Sequence, residues 1–196
     1  MKHFVVTIGG EYGAGGPDIG KIMAETMGVD YYDRDLVDSV VAQIGVDKEL
    51  VSAADNKNFV PFGIETTLGT RYANLSNKVI YTQFEVIKKM AQSSCIIIGR
   101  CSDYILRDIP DVVNIFVYAP EEARIAHIQE ARNVSRTKAQ ELIRQADKAL
   151  HDRYTYITGT YRGDRHNRHL LIDSSVLGWQ RSAKLIQAFV EMRFEM

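Results

Sequence analysis

FVVTIGGEYGAGGPDIGKIMAETMG, running from Phe4 to Gly28, is the stretch on which the reading of this chain turns. Phe4–Ile8 is a short, β-branched apolar run stopped by two glycines, the pattern of a buried strand. From Pro17 to Met27 the spacing changes: Ile19, Ile22, Met23 and Met27 fall on one helical face, and Gly28 is placed to end that helix. Between strand and helix lies a turn dense in glycine. Glycines let backbone N–H groups face inward and approach an anion closely, and the helix N-terminus adds unpaired donors and the positive end of its dipole. In open α/β sheets, ligands bind beyond the carboxyl ends of the strands, where this turn sits.

A complete phosphate-binding loop of the P-loop type reads GxxxxGK[ST]. Gly10 and Gly15 have that spacing, but Gly16 stands where the lysine belongs, so the motif is incomplete. Gly13-x-Gly15 also gives a weak dinucleotide-type pattern, and the bland alternative is a tight turn with Pro17 at the first helical position. The residues assigned to phosphate are Gly10, Glu11, Tyr12, Gly13, Ala14, Gly15, Gly16, Pro17, Asp18 and Lys21. Asp18 at a helix start stabilises the helix by about 0.3–1 kcal/mol. It would oppose a phosphate there unless a divalent cation intervened, which makes it a candidate Mg²⁺ contact as well as a simple helix-start residue.

Working outward, Tyr31–Tyr32 reads as a second strand and Leu36 to Ile44 as a helix ended by Gly45. Residues 46–75 are irregular and read as a short helix over 47–54 followed by a mobile surface segment. Helical spacing returns from Ser76 to Ala91. Cys95–Ile98 and Val112–Val117 are apolar runs of strand length, Pro120 opens a helix, another starts near Ser135, and Leu170–Ile172 and Trp179–Met192 are the last strand and helix. Continuous apolar strands alternating with helices predict an α/β fold, a parallel sheet covered on both faces.

The chain has 196 residues, with 45% apolar and 25% charged, which suits one globular domain over 1–196. Its net charge of −1 argues against nucleic acid as a partner. No apolar run is long enough to span a membrane, and two cysteines make no disulfide framework, so a reducing, cytoplasmic setting is expected.

Several segments in this order, IGGEYGAGGPDIGKIMAETMG, YYDRDLV, CIIIGRCSDYIL, VNIFVYAPEEARI, ADK and YITG, together resemble the cytidylate kinase-like family of P-loop nucleoside monophosphate kinases. The resemblance implies a P-loop NTPase-type sheet of five parallel strands, a monophosphate-binding insert at about 46–75 and an Arg-bearing helical lid at about 124–158. It implies phosphoryl transfer from ATP with Mg²⁺ to a (d)CMP-like acceptor, a small-molecule nucleotide as partner, and leaves homo-oligomerisation open. Asp33, Arg34, Arg100 and Asp103 would border the acceptor, with Arg100 gripping its phosphate. Arg100, Arg124, Arg132 and Asp147 would form the catalytic set.

The chain departs from the family pattern in its cations. Gly9 and Gly10 stand where the family has Ser-Arg, Pro17 stands for an Arg, and Leu150 stands for the Arg of a D-K-x-R motif. The phosphate loop is therefore degenerate. Two other readings stay open: a non-catalytic module binding a nucleotide or phosphorylated metabolite on the same fold, and a small-molecule kinase of another acceptor. The basic residues Arg162, Arg165, His166, Arg168 and His169 read as a solvated loop patch.

Overall fold

The structure, a computed structural model, describes residues 2–43 and 67–195, with side chains described except at 41–43 and 67–78. Five strands form one parallel sheet: β1 (Val5–Gly10), β2 (Asp30–Tyr32), β3 (Cys95–Ile98), β4 (Val112–Tyr118) and β5 (Leu170–Asp173), in the order β2-β3-β1-β4-β5. The glycine-ended strand β1 is central. It pairs with β3 from Val5↔Cys95 to Ile8↔Ile98 and with β4 from Val5↔Val112 to Gly10↔Val117. The strands on both sides of the glycine turn thus end beside it, which brings residues from three chain segments to one edge.

Alternation along each strand sorts the core into two layers. Val6 and Ile8 of β1, with Ile96, Val113, Ile115 and Val117, pack under α1 (Gly16–Met27) and the C-terminal helix. Val5, Cys95, Ile97 and Val112 face the other way, under α2 (Arg34–Gln43), α3 (Thr67–Met90) and the short α4 (Ser102–Ile105). Burying a side chain such as Ile8 or Ile97 fully contributes about 1.5–3 kcal/mol relative to leaving it exposed. The helix α3 begins at Thr67, well before Ser76, so 67–75 is helical rather than irregular. Gly69, Thr70, Asn74 and Ser76 are weak helix formers and hid that start. The short helix expected over 47–54, and most of the insert, lie outside the described residues.

A third, smaller core joins α5 (Glu121–Arg132) to α6 (Arg136–Thr158) through Ile125, Ile128, Ala139 and Ile143. Asn133, in the left-handed conformation, ends α5, and the Ser135 side chain caps α6 by accepting from Lys138 N–H at 3.3 Å. Tyr12 of the glycine turn packs against this helix pair. The last helix, α7, runs from Ser174 to Phe194, longer than its apolar spacing indicated, with a kink at Gly178. Its start is fixed by Asp173, whose carboxylate accepts from Ser175 N–H at 2.9 Å. No helix among the described residues is long and apolar enough to cross a membrane.

Candidate functional site

The glycine turn is held open by its surroundings. Glu11 N–H donates to Val117 O at 3.0 Å, Ala14 N–H to Glu11 O at 3.1 Å, and Ser174 Oγ to Ala14 O at 2.7 Å. Gly13 and Gly15 have φ of +86° and +82°, which only glycine adopts cheaply. A Cβ on Gly15 would lie 2.2 Å from Trp179 Nε1, so the indole packs directly on this residue, with His127 edge-on to it at 4.7 Å. His127 Nδ1 is 2.8 Å from Gly13 O. Among the described residues no acceptor meets the N–H groups of Gly13, Gly15 or Gly16. Those unpaired donors at the start of a twelve-residue helix suit the phosphates of a nucleotide.

Beside the turn, Asp147 gathers its neighbours. Its carboxylate accepts from Tyr12 N–H at 2.9 Å and from Arg124 Nη1 at 2.5 Å, and Arg162 Nη1 lies 3.9 Å away. Arg124 also donates to Tyr12 O at 3.2 Å, and its Nε lies 3.4 Å from Glu11 Oε2, an ion-pair distance. Arg132, more exposed, donates to the Tyr12 hydroxyl at 3.3 Å. Arg162 donates to Gly10 O. A side chain at position 10 would need space that the Val117 carbonyl closes, since a Cβ there would lie 2.5 Å from that oxygen. Burial pulls the Arg162 pKa below its ordinary value, partly offset by Asp147. Of the residues on α5 and α6, Arg124, Arg132 and Asp147 therefore meet at Tyr12, whereas Arg136 pairs with Glu122 and Lys148 with Asp152 on the surface.

The acceptor-side residues divide into two groups. Arg100 is buried and ion-paired with Asp38, not with the nearer-sequence Asp103 or Asp108. Gln83 Nε2 also donates to Asp38, at 3.1 Å, and Arg153 Nη2 donates to Gln83 Oε1 at 2.5 Å, forming a buried polar chain under α2 and α3. Arg34 Nε lies 3.9 Å from the same Asp38, while Asp33 accepts from Leu36 N–H at 3.0 Å as the cap of α2. Asp103 instead accepts from Tyr154 OH at 2.7 Å and pairs with Arg168. Arg100 and Cys101 both take left-handed backbone, φ 57° and 56°, directly after Gly99, a rare run at a strand end that costs of order 1–3 kcal/mol per non-glycine residue. Burial pushes the Cys101 thiol up to about 12, so it stays a neutral, inert filler.

Asp18 is half-buried on α1, beside Tyr31, whose hydroxyl donates to Pro17 O at 3.3 Å. Burial first, then Asp33 and Asp18, pushes the Tyr31 phenol up to about 12. Lys21 is exposed one turn further along the helix. No group of three or more His, Cys, Asp or Glu residues that could hold a metal occurs among the described residues. Asp18 is the acidic residue of the first turn of α1. Sequence reasoning placed Arg162 and Arg168 in a solvated patch. A charge run gives no sign that the strap after α6 folds Arg162 onto Gly10 and Arg168 onto Asp103.

The sequence matches the profile of the cytidylate kinase-like family over residues 5–176. The chain belongs to that family. An uncharacterised protein from Eubacterium ventriosum is similar in structure, with a TM-score of 0.77 and 19% identity, over 96% of this chain and 99% of that one. Shikimate kinase from Acinetobacter baumannii, solved with shikimate, aligns over 98% of this chain and 95% of its own, with TM-score 0.54 and 13% identity. A sugar kinase from Janibacter aligns over 97% and 95%, with TM-score 0.56 and 14% identity. At these identities the three structures share the kinase-like parallel α/β fold and nothing finer. No curated protein sequence matches the chain.

Proposed function

We propose that this member of the cytidylate kinase-like family is a nucleoside monophosphate kinase-like phosphotransferase, moving the γ-phosphoryl group of ATP to a pyrimidine monophosphate, with (d)CMP as the default acceptor. The observation that carries this is the convergence of Arg124 and Arg162, from separate segments, on Gly10–Tyr12 through the one carboxylate of Asp147. Phosphoryl transfer asks for positioned positive charge around a transferring group rather than for covalent chemistry. Polyphosphate oxygens would compete with Asp147 for the same guanidinium groups. The free amides of Gly13, Gly15 and Gly16 would hold the donor phosphates. The acceptor's phosphate oxygen would attack the γ-phosphorus, and ADP would leave. Mg²⁺ carried by ATP supplies charge neutralisation at the β and γ oxygens. Arg124 and Arg162 orient and neutralise the moving group, replacing in part the cations missing at Gly10, Pro17 and Leu150.

On the acceptor side Arg34 and Arg100 share Asp38. An incoming monophosphate would compete with that carboxylate for Arg34, the more exposed of the two. A coupled assay of ADP release with ATP and each ribo- and deoxyribonucleoside monophosphate tests the proposal. Turnover with at least a cytidine or deoxycytidine acceptor is expected; no turnover above blank with any monophosphate refutes it. A second reading, a nucleotide-sensing module without turnover, draws support from the burial of Arg100 against Asp38 and from the exposed Pro17. Calorimetric binding of ATP with no turnover would favour that reading.

A further inference from the structure

Along the outer flank of β4, on the face away from α1, lies a second cleft of about 440 Å³. Its lining is partly apolar, with Tyr104, Ile109 and Val112. Arg107, Arg168, His169 and Arg193 also line it, Arg107 lying over the Tyr104 ring at 4.2 Å and 3.7 Å from Asp108. The lining carboxylate, Asp103, is already engaged by Tyr154 and Arg168. The cleft thus carries a surplus of positive charge on a chain whose net charge is −1.

Two of its groups are held by hydrogen bonds and an ion pair, and a third is exposed. Arg168 has a side chain only 2% exposed, fixed by Asp103 and by the Arg162 carbonyl at 3.0 Å, yet its buried Nε–H meets no acceptor. Leaving such a charged donor unpaired is costly. His169 accepts through Nδ1 from Asn114 N–H at 2.8 Å and donates its own N–H to Asn114 O at 2.8 Å. That acceptor role leaves the neutral ring with its proton on Nε2 as a donor. Arg193, at the end of α7, is exposed and stacks on Phe194 at 5.4 Å, with no carboxylate partner among the described residues.

We infer that this cleft binds a phosphate-bearing small molecule, its phosphate held by Arg168, His169 and Arg193 and its body lying against Tyr104 and Ile109. A volume of this size falls within the range of small-molecule sites, and guanidinium forks match phosphate geometry. The cleft opens on the flank of the sheet and touches the acceptor side only at Asp103, so it is separate from the glycine turn. The inference is independent of the proposed transferase activity.

The test is a backbone amide NMR titration of the full chain with inorganic phosphate, against sodium chloride at matched ionic strength. Saturable shifts are expected at Asn114 and His169, apart from any at Gly13, Gly15 and Gly16. In Arg193→Gln and Arg107→Gln, both exposed positions, affinity at Asn114 and His169 should fall roughly tenfold, while response at the glycines stays as in the wild type. Unmoved cleft amides, equal shifts with chloride, or unchanged affinity in both variants would overturn the inference.

Discussion

At the scale of single residues, Asp147 ties the glycine turn to α5. It neutralises Arg124, approaches Arg162 and satisfies the Tyr12 amide, with its side chain 29% exposed. Asp147→Asn keeps the shape but removes the charge that three donors face. It should lower unfolding free energy by about 1–3 kcal/mol in urea denaturation, because two partly buried guanidinium groups lose their counter-charge. An unchanged midpoint would mean that Glu11 alone holds Arg124. His169 gives a pH signature. Burial first, then Arg193, holds its pKa below the ordinary value of 6.5, and its ring accepts from Asn114 N–H. A depressed histidine contributes stability above its unfolded pKa and loses it as pH falls through the folded one. Melting temperature should therefore decline below pH 6.5 more steeply in the wild type than in His169→Gln; parallel curves would contradict this.

At the scale of elements, the glycine turn was legible because glycine density, strand ending and helix start coincide in one short stretch. Its environment was not. Nothing in the spacing tells that Trp179, from the far end of the chain, lies on Gly15. Two glycines of the same backbone sign separate strain from crowding. Gly159, at φ +71°, ends α6 and has open space around a would-be Cβ, whereas Gly15 meets Trp179 at 2.2 Å. Gly159→Ala should cost about 1–2 kcal/mol, the penalty of left-handed backbone alone. Gly15→Ala should cost more, and Gly15→Ala with Trp179→Ala should recover part of the excess in a double-mutant cycle. Equal costs for the two single variants would show that the indole gives way freely. The α5–α6 pair was readable from Pro120 and Ser135 as helix starts. The strap after α6 was not, because Arg162 and Arg168 are buried by tertiary contacts with Phe116, at 5.8 and 5.6 Å, that no local pattern encodes.

At the scale of the whole molecule, the sheet order places the ends of β1, β3 and β4 side by side, and with them the glycine turn, Arg100 and the start of α5. Five parallel strands with the glycine turn and Arg100 at strand ends followed from apolar runs and the family resemblance; the strand order did not. Which cation serves which anion did not, because carboxylates from distant segments (Asp38 for Arg100, Asp103 for Arg168) decide it. Ligand should therefore act by exchange of partners. ATP with Mg²⁺ should raise the melting temperature in a concentration-dependent way, by mass action on the folded state, and raise it less in Arg124→Gln. The most direct measurement is steady-state transfer from ATP with Mg²⁺ to CMP and dCMP, in the wild type and in Arg162→Gln. The account predicts turnover in the wild type and a loss of roughly a hundredfold in kcat for the variant, with its fold retained. No transfer by the wild type to any monophosphate, or full activity without Arg162, would contradict it.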